Sequence, residues 1–342
     1  MNFLVDTISF RIKSLEYGFK SIVDFLGLSK VVKKQIGETS GIYNNNYLES
    51  YRMGGIILAW NGQQGFDGYV YMSGQGCRLY ESLYKEAHDY DLDWFEFIKL
   101  LDIMQSADLM HMTRIDIACD DFTDRLRINR LHRYVRENRF KSRVKFFLGK
   151  CFANDELQIG SPKSSQFLRI YNKKLERGYL PEDNDGVPWY RAEFQLRDNS
   201  ASQFVSAWVK NGDIGFTFMC YLNGYIEFTK DPNNHDGNQS KLKTAPWWKS
   251  FIGDVEKLRF VKSVGTEYNL SRVERYAIHT AGSSVRTLIE AREYSPDDVW
   301  RLFTACDLRD DQRILIREQQ KANEERRQFF EAIKERENNV RI

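Results

Sequence analysis

The chain has 342 residues, with 50 Lys and Arg against 48 Asp and Glu for a formal net charge of +2. That length allows one elaborated domain or two, and the near balance of charge excludes a uniformly basic nucleic-acid coat, so any surface for a polyanion must be local. The five cysteines (Cys77, Cys119, Cys151, Cys220, Cys306) and five histidines are scattered, without CxxC, HExxH or paired-histidine spacing, which excludes metal chemistry on such ligands and fits reduced thiols in the cytoplasm.

The N-terminus, MNFLVDTISFRIKS, alternates like a strand over 3–12 and lacks the basic-then-apolar layout of an export signal. No apolar run approaches the ~20 residues of a membrane span. Strand alternation recurs at 54–61, 67–73, 110–119, 143–149, 166–173 and 188–197. Helices are predicted over 92–105, entered at Asp91 or Asp93, and over 124–138, entered at Thr123 or Asp124. After strand 67–73, Gly74-Gln75-Gly76-Cys77-Arg78 reads as a tight glycine turn followed by a cation, either a bare turn or one whose amides approach a phosphate. Gly160-Ser161-Pro162-Lys163-Ser164-Ser165 is a polar loop that could offer hydroxyls and a charge to a nucleic-acid backbone, or simply turn a hairpin. Residues 178–188 and 230–246 read as loops. Trp247-Trp248 behind Pro246 predict a helix packing inward with Phe251 one turn on. From about 268 the pattern turns helical and ends in a charge-rich tail, a solvated or pairing helix.

Two segments echo each other. In TRIDIACDD, Arg114, Asp116, Ala118 and Asp120 share one strand face, and in YRAEFQLRD, Arg191, Glu193, Gln195 and Arg197 share another. Carboxylates there are costly unless paired or holding a cation. Two readings follow: Asp116, Glu193 and Asp120 around Mg²⁺ or Mn²⁺, or a structural network with Arg114 and Arg191. Between these strands, in FLRIYNKK, Arg169, Tyr171 and Lys173 point the same way. A phenol flanked by two cations suits phosphoryl transfer to tyrosine, and a solvated amphipathic strand would look the same.

Taken in order, VDTISF, YMSGQGCR, MTRIDIACDD, GSPKSSQFLRIYNKKLERG, WYRAEFQLR and TAPWWKSFIG resemble the replication initiation factor family over residues 3–255. That family holds rolling-circle plasmid initiators, relaxases of conjugative elements and initiators of some filamentous phages. The resemblance implies an α+β fold: an antiparallel-rich mixed sheet from a duplicated, RRM-like strand/helix unit, helices on one face, and a mainly helical C-terminal part. It implies a nicking domain over 1–255, with 200–255 contributing to DNA reading, and a helical region over 256–342. The implied activity is origin-specific DNA nicking and closing through a 5′-phosphotyrosine intermediate, starting rolling-circle replication or mobile-element transfer; the alternative is a non-catalytic origin binder or repressor on the same scaffold. Tyr171 then stands at the nucleophile position, with Arg169 and Lys173 holding the phosphate and lowering the phenol pKa. Asp116, Glu193 and Asp120 stand at the positions for Mg²⁺ or Mn²⁺. Some relatives carry a tyrosine just before the Gly-Ser pair, where this chain has Gln158, which leaves Tyr171 ahead of Tyr190. Arg78, Lys163, Arg191, Lys241, Lys243 and Lys249, with Arg259, are the expected DNA contacts. Expected partners are origin DNA, duplex with an extruded or single-stranded nick site, a host helicase and a second copy of the chain, in the cytoplasm and without a membrane.

Overall fold

The computed structural model describes residues 1–13, 18–32, 46–62, 66–142, 150–152, 156–178, 186–233, 242–253 and 282–305, together with positions 144, 255, 277, 307, 308, 313, 316, 317 and 320. The chain divides into two compact units, Met1–Phe260 and Val261–Ile342. In the second, helices Gly282–Arg292 and Pro296–Thr304 are described, the latter entered through a Ser295–Asp298 capping box.

The first unit is organised by a nine-stranded sheet. In chain order it is built from β1 (Asn2–Ile12), α1 (Phe19–Phe25), β2 (Tyr47–Met53), β3 (Ile56–Gly62), β4 (Gly68–Met72), α2 (Gly74–His88), α3 (Trp94–Ser106), β5 (Met110–Asp121), α4 (Ile128–Arg136), β6 (Phe140–Ser142), β7 (Lys150–Phe152), β8 (Glu156–Gly160), β9 (Gln166–Asn172), α5 (Lys173–Glu176), β10 (Tyr190–Arg197), α6 (Asn199–Asn211), α7 (Ile214–Tyr225), β11 (Ile226–Phe228) and α8 (Pro246–Ile252). The order across the sheet is β2-β3-β4-β1-β5-β10-β9-β8-β7. Each pairing in it is antiparallel, so the sheet is uniform in direction where a mixed one was expected. The two echoing segments are its central strands, β5 and β10, side by side with Arg191 opposite Asp120 and Gln195 opposite Asp116.

Alternation decides which face is core. Ile115, Ile117 and Cys119 of β5 and Phe194, Leu196 and Ala192 of β10 are fully buried in one cluster. Side chains of α2, α3, α4, α6, α7 and α8 join that same cluster. The predicted inward helix behind Pro246 is α8, with Trp248 and Phe251 buried in it.

Three local expectations change. The helix expected over 124–138 starts only at Ile128: the buried carboxylate of Asp121 accepts from the amides of Thr123 and Leu126, and Asp124 sits at φ +60°. A local side-chain bond there competes successfully with the helix. The glycines of SGQGC do not form a bare turn. Ser73 caps α2, and the helix packs so closely that a Cβ on Gly76 would lie 2.2 Å from the Gly55 carbonyl oxygen. The strand expected over 143–149 lies outside the described residues except for Val144, as does most of the charged tail. Among the described residues no helix is long and apolar enough to cross a membrane.

Candidate active site

Antiparallel register turns the polar face of the central strands into rows. Asp120, Arg191, Tyr171 and Glu156 form one row across β5, β10, β9 and β8; Ala118, Glu193, Arg169 and Gln158 form the next; Asp116, Gln195 and Phe167 form the third. Tyr171 therefore stands on the same side as the two acidic strands, diagonal to Glu193. The phenol hydroxyl donates to Glu193 Oε2 at 2.9 Å. Arg169 donates to both oxygens of the same carboxylate at 3.2 and 3.1 Å, and its guanidinium carbon lies 4.9 Å from the tyrosine ring centroid. Lys173, the first residue of α5, places its ammonium 5.5 Å from that centroid and pairs with Glu176 at 2.7 Å.

Tyr171 is only 5% exposed. Burial pushes its pKa up, the Glu193 charge pushes further, and the pull of Arg191 and Arg169 does not overcome them. This corrects the expectation that Arg169 and Lys173 lower the phenol's pKa: a carboxylate in hydrogen-bond contact outweighs guanidinium groups that are already neutralised by acids.

Asp116 is 1% exposed and held by Arg114, whose Nε donates to Oδ1 at 2.9 Å and whose Nη2 donates to Oδ2 at 2.5 Å. Burial nevertheless raises its pKa to about 6; Arg114 opposes this, while the charges of Glu193 and Asp6 add to it. Asp120 is bound edge-on by Arg191 at 2.7 and 2.9 Å, and the third arm of Arg191 reaches Asp6 at 2.9 Å. Arg191 is thus a buried clamp, which corrects its expected place among the DNA contacts, and Asp120, like Asp116, has both carboxylate oxygens taken by a guanidinium.

Asp6 is the site residue that strict alternation hides. Ile8, Phe10 and Ile12 face the core, which would send Asp6 there too. A register shift between Val5 and Thr7, opposite Ile117 and Asp116, inserts one residue and delivers Asp6 to the polar face. Its pKa is raised by burial and then by Glu193, against Arg191, Lys173 and Arg78. Asp6, Asp116 and Glu193 each feel the others' charge on this face, with Ala118 opposite Glu193. Among the described residues no three His, Cys, Asp or Glu side chains are drawn together as a metal cage. Each of the three carboxylates is instead paired with a guanidinium, Asp116 with Arg114, Glu193 with Arg169 and Asp6 with Arg191.

The remaining expected contacts are dispersed. Arg78 donates to the Val5 carbonyl at 2.8 Å and pairs with Glu81 at 2.8 Å, beside the bulge. Lys163 is exposed in the loop before β9, where the Ser164 hydroxyl is spent on the Ser161 carbonyl at 2.7 Å and Pro162 accepts from Gln195 and Arg197. Lys243 and Lys249 are exposed, far along the chain from the tyrosine strand. Lys241 and Arg259 lie outside the described residues. Tyr190 alternates to the other side and packs against the core.

The family described as replication initiation factor matches residues 110–301, which span β5, β9 and β10. The Bacillus subtilis (strain 168) protein named "Putative DNA relaxase NicK" is 27% identical over 329 residues, covering 92% of this chain and 88% of its own. The solved rolling-circle replication initiator protein from Geobacillus stearothermophilus superposes with a TM-score of 0.57 at 24% identity, covering 76% of this chain and 98% of that one; that likeness is one of fold.

Proposed function

The chain belongs to the replication initiation factor family, and on that premise we propose that it nicks and rejoins one strand of origin DNA through Tyr171. The observation that carries the reading is the phenol hydroxyl hydrogen-bonded to Glu193 on the polar face, between Arg169 and Arg191. Supporting it, the similar B. subtilis protein is named a DNA relaxase and the fold neighbour an initiator of rolling-circle replication.

In this reading the Tyr171 oxygen attacks the scissile phosphorus as its proton passes to Glu193 Oε2, the oxygen it already contacts. The bond from phosphorus to the 3′-oxygen breaks, that oxygen takes a proton from water, and a 5′-phosphotyrosine remains beside a free 3′-hydroxyl. One phosphodiester replaces another of similar energy, so reversal reseals the strand without a nucleotide cofactor. Arg169 holds Glu193 and presents positive charge at the phosphate. Lys173, buried and paired with Glu176, adds a second charge beside the tyrosine ring. Asp116, Glu193 and Asp6 would hold Mg²⁺ or Mn²⁺, which when bound supplies Lewis-acid charge at the phosphate. Base readout falls to α6 through α8, with Lys243 and Lys249 on phosphates.

The test is a denaturing gel of the protein incubated with supercoiled plasmid carrying the element's own origin and Mg²⁺ or Mn²⁺. The wild type forms a covalent protein–DNA adduct, and Tyr171→Phe binds the same DNA without forming one. An adduct retained in Tyr171→Phe overturns the assignment of the nucleophile; a wild type that binds the origin and never nicks it leaves a non-catalytic binder.

A further inference from the structure

Beyond the tyrosine row, the same side of the sheet carries an aromatic group that the reaction above does not use. Phe122 and Trp189 lie one residue beyond the paired ends of β5 and β10, Asp121 and Tyr190, and an extended continuation of both strands turns them toward the side of Tyr171. Their neighbours Asp121 and Tyr190 face the other way, Asp121 capping the α4 entry and Tyr190 packing on the core, which neither Phe122 nor Trp189 joins. Two strand residues span about 6.5 Å, so the pair stands one step from the nucleophile. The Lys173 amide donates to the Trp189 carbonyl at 2.9 Å, tying this end of β10 to the residue two beyond Tyr171.

The rings of Phe122 and Trp189 are 5.7 Å apart and inclined by 31°, and the Arg177 guanidinium lies 4.7 Å from the Trp189 centroid. Phe122 is 40% exposed. The Trp189 Nε1–H is buried and meets no acceptor among the described residues, a donor left unmade at a cost in stability. A large ring kept in water, a guanidinium on an indole and an unused donor, all beside a phosphate-transfer site, match the π-face of a nucleobase with its sugar and phosphate.

The geometry points to Phe122, Trp189 and Arg177 as a stacking platform for a base of single-stranded DNA, the one adjoining the phosphate that Tyr171 attacks. This rests on the nicking reading and deepens it. A strand cannot reach Tyr171 while paired and stacked in a duplex, and a ring that receives the freed base offsets part of the stacking it gives up. Because every base has a π-face, the platform is tolerant of sequence; specificity for the origin lies elsewhere.

The experiment uses the full chain carrying Tyr171→Phe, so that no cleavage intervenes, and measures by fluorescence anisotropy its affinity for a thymine oligonucleotide and for an abasic strand of the same length. The thymine strand binds more tightly than the abasic one, and adding Phe122→Ala removes that preference, weakening thymine binding about ten-fold while abasic binding stays unchanged. Phe122→Trp restores it. Phe122 is half in water, so its loss leaves the fold intact, checked by thermal melting. Equal affinity for thymine and abasic strands before the change, or a full preference after Phe122→Ala, overturns the platform and leaves nicking standing. Binding to neither strand overturns the platform, while the adduct test on origin DNA separately decides the nicking reading.

Discussion

The two faces of β5 and β10 are made from alternate residues of the same two strands, yet they solve opposite problems. On one, Ile115, Ile117, Phe194 and Leu196 meet helices in a dry cluster whose burial stabilises the unit. On the other, Asp116, Asp120, Arg191 and Glu193 are nearly as buried but charged, and each is tolerable only because a partner of opposite sign stands within about 3 Å, Asp116 against the half-buried Arg114. The apolar face can lose a side chain and keep its chemistry. The polar face holds the groups proposed for the reaction, at the expense of stability.

The largest effect expected from pressing on this contrast is at Glu193. Glu193→Gln keeps the shape and removes the proton acceptor of Tyr171, so adduct formation by the folded protein falls about 10²–10⁴-fold, while the melting temperature moves little; a near-normal nicking rate would remove Glu193 from the reaction. The mirror-image change is Phe194→Ala, which empties a site in ring contact with Phe218 and Tyr225. It costs about 3–5 kcal/mol, read as a drop of about 10 °C in melting, with adduct yield per folded molecule unchanged. Asp120→Asn is expected to cost about 3 kcal/mol, because it leaves the buried Arg191 guanidinium with Asp6 as its only full countercharge. Denaturant titration checks this, and a neutral outcome would mean that Arg191 is better hydrated than the geometry indicates.

The smallest effect is a pH dependence with opposite signs on the two properties. Asp116 has its folded pKa raised to about 6, above the ordinary carboxylate value. The native state therefore keeps the proton that the unfolded chain has lost, and this group's contribution to stability, at most about 3 kcal/mol, is full below about pH 4 and lost as pH rises through about 6. On the proposed reading, in which the Asp116 carboxylate helps hold a cation, activity is expected to rise through the same window. Asp116→Asn should flatten the stability profile there and abolish the metal-dependent rise; an unchanged stability profile would show that another group titrates.

Much of the site was legible because it is written as alternation. TRIDIACDD and YRAEFQLRD announced charges on strand faces, and Tyr171 sat between them with Arg169 two residues before it. What alternation cannot carry is the partner across the sheet. For the acids, the partner across the sheet is an arginine in each case, Arg191 on Asp120 and Arg114 on Asp116, which the strand pattern left open between an ion-pair network and a cation site. Strands β2 and β8 escaped notice because their apolar residues are few, and α4 began late because Asp121 caps its approach.

The order of residues by itself determined the sheet's two-sided character, the inward α8 helix and the family of motifs, since each follows from spacing along a few neighbouring positions. Only the tertiary structure decided that Asp6 joins the polar face, because a one-residue bulge shifts the parity of everything before it. It alone also set the direction of the Tyr171 pKa, because burial and the Glu193 carboxylate belong to the fold and not to the strand that carries the phenol.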